Sequence, residues 1–343
     1  MRRLLRVLAG VLPLAVALPV FGVNCTTQSQ MNQAQRTALE QAARLLATNV
    51  QAGNVSAVRE QTIAAVGAQF GGIATSIQSV DASIQRAAIT VNTIYLLDAT
   101  DLKSPADTQF FCGIAGSPLT VVVSIPNLPP GRYALAIVHA TGVKNPQQLT
   151  MVLSNDPVGS SSWKLAGFFV KPMTVAGHDG LWFWQQARQY AARKQQWGAW
   201  LYYQTALLLL QPVDFLTSPN LQKLNKEADQ ARPDTLPGTE PMRITFNGQV
   251  LNVTQVHTGE FGGQLDLIVD YEGTPTPDPV AARAQVTAVM RTLLEQHPEL
   301  HDAFHGIWVH ASAPNRPNWF ALELPMEQIE ASFPAPEQLK KRG

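Results

Sequence analysis

Charge is scarce in this chain. Lys and Arg number 25 and Asp and Glu number 25 among 343 residues, 15% in all, against roughly 25% in an average soluble protein. The formal net charge is zero. No basic field exists of the kind that sequence-independent nucleic-acid binding requires, so nucleic acid is excluded as a partner. A small net charge with 45% hydrophobic residues also excludes general disorder. Cysteine is nearly absent: Cys25 and Cys112 are the only two, too few for a disulfide scaffold and without a Cys-x-x-Cys or Cys/His zinc spacing. The Gly-x-Ser-x-Gly elbow, the Walker loop and His-Glu-x-x-His are missing as well. The one Ser-x-x-Lys, Ser161 with Lys164, enters a predicted strand, where Lys164 lies too far along to serve Ser161 as a base. No cofactor is implied. These absences favour a non-enzymatic protein without excluding an enzyme.

What is present begins with an address. Arg2, Arg3 and Arg6 precede an almost unbroken apolar run from Val7 to Val23. A basic segment followed by an apolar one is the pattern of a secretory signal, and Val20 and Gly22 suit cleavage after residue 22. Without residues 1–22 the formal charge becomes 22 − 25 = −3. Cys25 follows directly, then the polar stretch Thr26 to Gln33. That arrangement resembles a bacterial lipoprotein, although Asn24 departs from the small residue usual before the lipidated Cys. Lipidation of Cys25, a free thiol and a disulfide with Cys112 all remain open. No other apolar run reaches 18 residues. The expectation is an exported protein, periplasmic or tethered as a lipoprotein, touching a membrane only through a lipid on Cys25.

The pattern then divides the chain into a polar tether (23–32), an α+β domain (33–175), a helical hairpin (176–230), a linker (231–241), a small C-terminal α+β domain (242–330) and a tail (331–343). Apolar residues at helical spacing predict a helix over 33–50, with Gly53-Asn54 as stop and new cap. A second helix is expected over 55–66 and a third over 76–87. Strands follow at 88–97, 108–114, 119–125, 132–139, 149–155 and 163–170, punctuated by Gly/Pro turns. The fold class is therefore α+β, with helices packed on a curved antiparallel sheet, then a helical hairpin, then a small β-rich α+β domain.

The helical stretch Leu45 to Asn54 and the strand Ser162 to Phe169, which opens on Trp163 and ends in aromatics, resemble the nuclear transport factor two-like superfamily. That resemblance implies a cone with an open apolar pocket used for ligands, catalysis or dimerisation. No catalytic pair can be placed in it. Phe183, Ala187, Tyr190, Ala199, Tyr203 and Ala206 fall as in a tetratricopeptide-type hairpin, with small residues at the helix crossing and rings on its flanks. Gln186 and Pro212 depart from that pattern. A single copy implies packing on a neighbouring domain. In the last domain strands are expected at 242–247, 250–257, 265–271, 307–310 and 319–324. A helix opens at Pro277-Asp278-Pro279 with Val280, Val286, Val289, Met290, Leu293 and Leu294 as its apolar stripe.

Three candidate sites emerge. His297, His301 and His305 at i, i+4 and i+8 would share a helical face, a spacing that can bind a transition metal through imidazoles; the plainer reading, and the favoured one, is the polar face of a short surface helix. Gly177-His178-Asp179-Gly180 reads as a turn between domains. Eight rings crowd residues 182–203. Either they clamp the hairpin between domains, or Trp182, Trp184, Trp197, Trp200 and Tyr203 anchor a protein or peptide partner in a groove. The functional expectation is an exported, non-enzymatic binding or assembly module of the bacterial cell envelope; the alternative is a small-molecule hydrolase or isomerase using the first domain's pocket.

Overall fold

The computed structural model describes residues 23–155 and 162–332. The expected signal segment 1–22, the turn at Asp156-Pro157, Ser161 and residues 333–343 of the tail lie outside the described residues. The architecture is α+β, as the pattern of elements implied.

The first unit opens with β1 (Asn24–Thr27), α1 (Gln33–Gln51), α2 (Val55–Glu60), α3 (Ala64–Gly67) and α4 (Gly71–Ile84). Six strands follow: β2 (Ala88–Asp98), β3 (Ala106–Gly113), β4 (Thr120–Leu128), β5 (Arg132–Thr141), β6 (Gln147–Asn155) and β7 (Trp163–Pro172). Asn32 caps α1 in a capping box with Gln35, and Gly53 takes the left-handed φ of +65° that ends it. The segment 55–66 is not one helix. After Glu60 the chain leaves helical geometry to bond β7, with Ile63 N–H donating to the Leu165 carbonyl and Leu165 N–H to that of Gln61.

The main sheet has the order β1-β2-β5-β6-β7, antiparallel throughout. Both of its faces are covered. Ile94, Leu96, Ala134, Ala136 and Val138 pack against Leu39, Leu46, Val50 and Ile77 of the helices. The alternate residues Tyr95, Leu97, Tyr133, Leu135 and Ile137 pack against Phe110, Cys112, Val121 and Val123 of the β3–β4 hairpin. Strands buried on both faces read as continuous apolar runs, as β5 and the Ile94–Leu97 half of β2 do. The β3–β4 hairpin thus covers the second face of the main sheet.

The expected polar tether is folded. Residues 24–27 form β1 along the edge of β2, and Met31 is buried. Cys25 is bonded to Cys112 of β3, Cα to Cα 5.0 Å. The disulfide staples the edges of two sheets, and it occupies the sulfur that the thioether of a lipoprotein would need.

The middle segment holds the two-residue strands β8 (Thr174–Val175) and β9 (His178–Asp179), then α5 (Gly180–Ala192), α6 (Gln196–Leu210), β10 (Leu216–Thr217) and α7 (Pro219–Ala231). The hairpin does not stand apart. β10 adds to the edge of β4, and α7 places Leu221 in the first unit's core while Leu224 and Ala228 join the last one. The 231–241 linker is largely exposed and is pinned by the buried Pro233 and Leu236.

The last unit comprises β11 (Met242–Phe246), β12 (Gln249–Phe261), β13 (Gln264–Glu272), α8 (Pro279–Gln296), α9 (Leu300–Ala303), β14 (Gly306–Ala313), β15 (Arg316–Pro325) and α10 (Met326–Ala331). Its sheet runs in chain order. Only β13 and β14 pair in parallel, which is why they need the helical crossover α8–α9. The β11–β12 hairpin turns at Asn247 and Gly248, both at positive φ. Asp278 caps α8. Of the expected stripe on α8, Val286, Val289, Met290, Leu293 and Leu294 are buried, but Val280 in the first turn is 75% exposed.

Candidate functional site

The three histidines do not share a helix. Pro298 has no N–H to continue α8, so the helix stops at Gln296 with His297 as its C-cap. Only Leu300–Ala303 return to helix, and Phe304 is extended. His297 stacks on Trp197, ring centroids 4.3 Å apart, and burial holds its pKa below the ordinary imidazole range despite Glu299 nearby. His301 faces Asp302 and Glu330. Among the described residues, the one group of three side chains that brings metal-ligating atoms within 4.8 Å of one another is Asp266, His305 and Glu323. Of the expected metal set, only His305 belongs to it.

The rings are spent mainly inside the molecule. Trp197 is 2% exposed and Tyr203 3%. Trp197 Nε1 donates to Thr235 Oγ1 at 3.1 Å. Trp184 Nε1 donates to Glu227 at 2.7 Å, under the Arg188 guanidinium. Trp200 lies beneath Arg232. Burial, with the Glu227 charge beside it, pushes the Tyr203 hydroxyl up to about 12. Four of the five expected anchors therefore hold α5, α6, α7 and the last unit together and line no common groove. The fifth, Trp182, is half-buried, and it fronts a cleft.

That cleft, of about 390 Å³, lies between the α5–α6 hairpin and the end of β13–β14. Trp182, Phe183, Tyr202 and Phe304 supply apolar walls, and His178, Asp302 and His305 the polar groups. Asp179 caps α5 by accepting from Trp182 N–H, which fixes the start of the helix, and His178 stacks on the Trp182 indole at 3.7 Å. The Tyr202 hydroxyl donates to the Ala303 carbonyl at 2.6 Å, and burial raises its pKa strongly. The volume lies in the range of ligand sites. A larger hollow, about 670 Å³ beside α2 and α4, brings only Arg59 and Glu60 as charges.

His305 is fixed from three sides. Its N–H donates to the Leu265 carbonyl at 2.9 Å, its carbonyl accepts from Met326 N–H at 3.0 Å, and its Nδ1 stands 3.2 Å from Asp266 Oδ1. The Asp266 side chain is 1% exposed. Burial raises the Asp266 carboxyl, opposed by the His305 bond and charge and by the Gly306 amide. Burial also raises the Glu323 carboxyl, with the Asp266 charge adding to the effect and His305 opposing it. A buried carboxylate holding an imidazole at a cleft resembles the orienting half of a general base. No Ser, Thr, Cys or Lys is among the residues that line the cleft.

A second imidazole group occupies the same face of the sheet. His310 Nδ1 meets Asp270 Oδ1 at 2.9 Å, and His257 Nδ1 stands 3.9 Å from the other carboxylate oxygen. Asp266 and Glu323 carried no local signal in the sequence. Asp266 sits between Leu265 and Leu267 in strand register, and all three are buried. No family model, curated protein or solved structure matches this chain.

Proposed function

We propose that this chain is an exported, non-enzymatic binding or assembly module of a bacterial cell envelope, and that its cleft takes an apolar or aromatic side chain from a peptide or protein partner. The observation that carries the reading is the meeting of Trp182 and His305 on one cleft, from elements 123 residues apart in sequence (305 − 182). Ring walls supply contact area, and Asp302 with His305 supplies polar orientation. The Cys25–Cys112 disulfide supports an oxidising compartment. The order of elements supports kinship of the first unit with the nuclear transport factor two-like superfamily, and α5–α6 supports kinship with the tetratricopeptide hairpin. The hydrolase or isomerase reading has less support, because the buried polar side chains described in the first unit are the hydroxyls of Thr27, Thr62, Thr108, Thr150, Tyr95 and Tyr133, none of them a carboxylate or imidazole.

The test places a photo-crosslinking amino acid at Gln264, on the cleft rim, and in a second strain at Leu45 of α1, which is 55% exposed. A discrete adduct in the native host from position 264 alone, lost in Trp182→Ala and His305→Ala, is expected. An adduct indifferent to both substitutions, or none, sinks the cleft reading.

A further inference from the structure

We propose that Asp266, His305 and Glu323 form a binding site for a divalent transition-metal cation, zinc before others. The three side chains come from β13, the entry to β14, and β15, adjacent strands at one end of the last sheet. Their ligand atoms lie within 4.8 Å of one another. One imidazole nitrogen and two carboxylates make a donor set of the kind that zinc accepts, with a fourth position left for water or a ligand.

Charge is the first argument. Two carboxylates share this site, and the only cationic partner either has among the described residues is the imidazole of His305. Three acids elsewhere meet a full cation, Asp98 with Arg132, Asp214 with Lys171 and Glu227 with Arg188; Asp270, Glu299, Asp302 and Glu330 meet imidazoles alone, but none of those four is fully buried as Asp266 is. Asp266 is wholly buried, and its Oδ2 has no hydrogen-bond partner; the enclosed Oε1 of Glu323 has none either. Buried carboxylate oxygens are ordinarily paired or bound to metal. A dication would satisfy both oxygens and offset the excess charge.

Geometry is the second. Two donors bound to one zinc at about 2.0–2.1 Å stand roughly 3.3 Å apart at a tetrahedral angle, and His305 Nδ1 and Asp266 Oδ1 are 3.2 Å apart. Gly306 makes room for the third ligand: a Cβ there would come within 2.8 Å of Glu323 Oε1 and 2.7 Å of the Leu324 carbonyl. The backbone bonds of His305 to Leu265 and Met326 hold the ligand strands in position before any ion arrives. The His305 side chain, 42% exposed, leaves a path from solvent.

The test uses the full exported chain, untagged, stripped with chelator and titrated with Zn²⁺ alone by calorimetry. The expectation is one zinc per chain, weakened roughly 100-fold or more in His305→Ala and Glu323→Gln, with the double variant His297→Ala/His301→Ala unchanged. Co²⁺ in place of zinc should give a visible absorption spectrum that His305→Ala abolishes. Near-UV circular dichroism checks the fold of each variant, and Glu323→Gln, at a half-buried position, serves where Asp266→Asn fails to fold. Zinc binding that survives His305→Ala and Glu323→Gln, or that falls only with His297 and His301, overturns the proposal. The readout is independent of the cleft's partner, since the titration holds only the purified chain and Zn²⁺.

Discussion

Replacing both Cys25 and Cys112 with Ala tests how the first unit is held together. The bond joins residues 87 apart, and the chain-entropy relation for a loop of that length gives about 4–5 kcal/mol of stabilisation. For a unit of about 150 residues each kcal/mol moves Tm by roughly 2–4 °C, so a fall of roughly 10 °C or more is expected. The loss should be concentrated at the joint between sheets. β1 is only four residues long and lies at the edge of the main sheet, while β3 is the edge of the smaller one. Calorimetry of the oxidised parent against the double variant reads the shift, and limited proteolysis within residues 23–32 reads the release of β1. Intact mass under non-reducing conditions checks the chemistry. A Tm within about 3 °C of the parent would refute the constraint argument. A lipid mass on Cys25 would refute the disulfide itself.

Trp197→Ala should cost about 3–5 kcal/mol by urea unfolding, since a fully buried ring is removed; Trp197→Phe should cost far less, about 1 kcal/mol for the lost bond to Thr235. Burial pulls the His257 imidazole below its ordinary range, with Asp270 opposing and His310 adding. The unfolded chain therefore takes that proton first, and stability should fall as pH drops from about 6.5 toward the lower folded value; His257→Gln should flatten the profile of urea midpoints over that window. Asp266 and Glu323 act with opposite sign, because their raised folded pKa values add stability as pH falls through them. Glu227 accepts from Trp184 and, through both oxygens, from Arg188. Burial pushes its carboxyl up, but those bonds with the Arg188 and Lys223 charges outweigh burial and hold it below the usual range. Glu227→Ala should cost about 1–2 kcal/mol after discounting for the partly exposed Arg188, and equal unfolding midpoints in parent and variant would contradict this.

Local signals carried the elements far. Gly53-Asn54, Pro129-Pro130-Gly131, Asn247-Gly248 and Asp278-Pro279 mark their turns and caps by chemistry confined to a few residues. Strands such as Ala88–Asp98 and Trp163–Pro172 and the helix Gln33–Gln51 therefore lie within two residues of their expected bounds. The failures came where a distant partner competed. The 55–66 helix broke to bond Leu165, and the tether folded because Asn24–Thr27 found the edge of β2.

The amino-acid order alone determined the α+β class, the succession of elements and the crowding of rings in residues 182–203, because each depends on spacing along the chain. Which groups meet was decided only by tertiary structure. Parallel pairing of β13 with β14 sets His305 beside Asp266, 39 residues away, and β15 brings Glu323 to the same point. Neither carboxylate has a local pattern that distinguishes it from an ordinary outward strand residue. Burial without a cation beside it distinguishes them, and burial is a property of the packed whole.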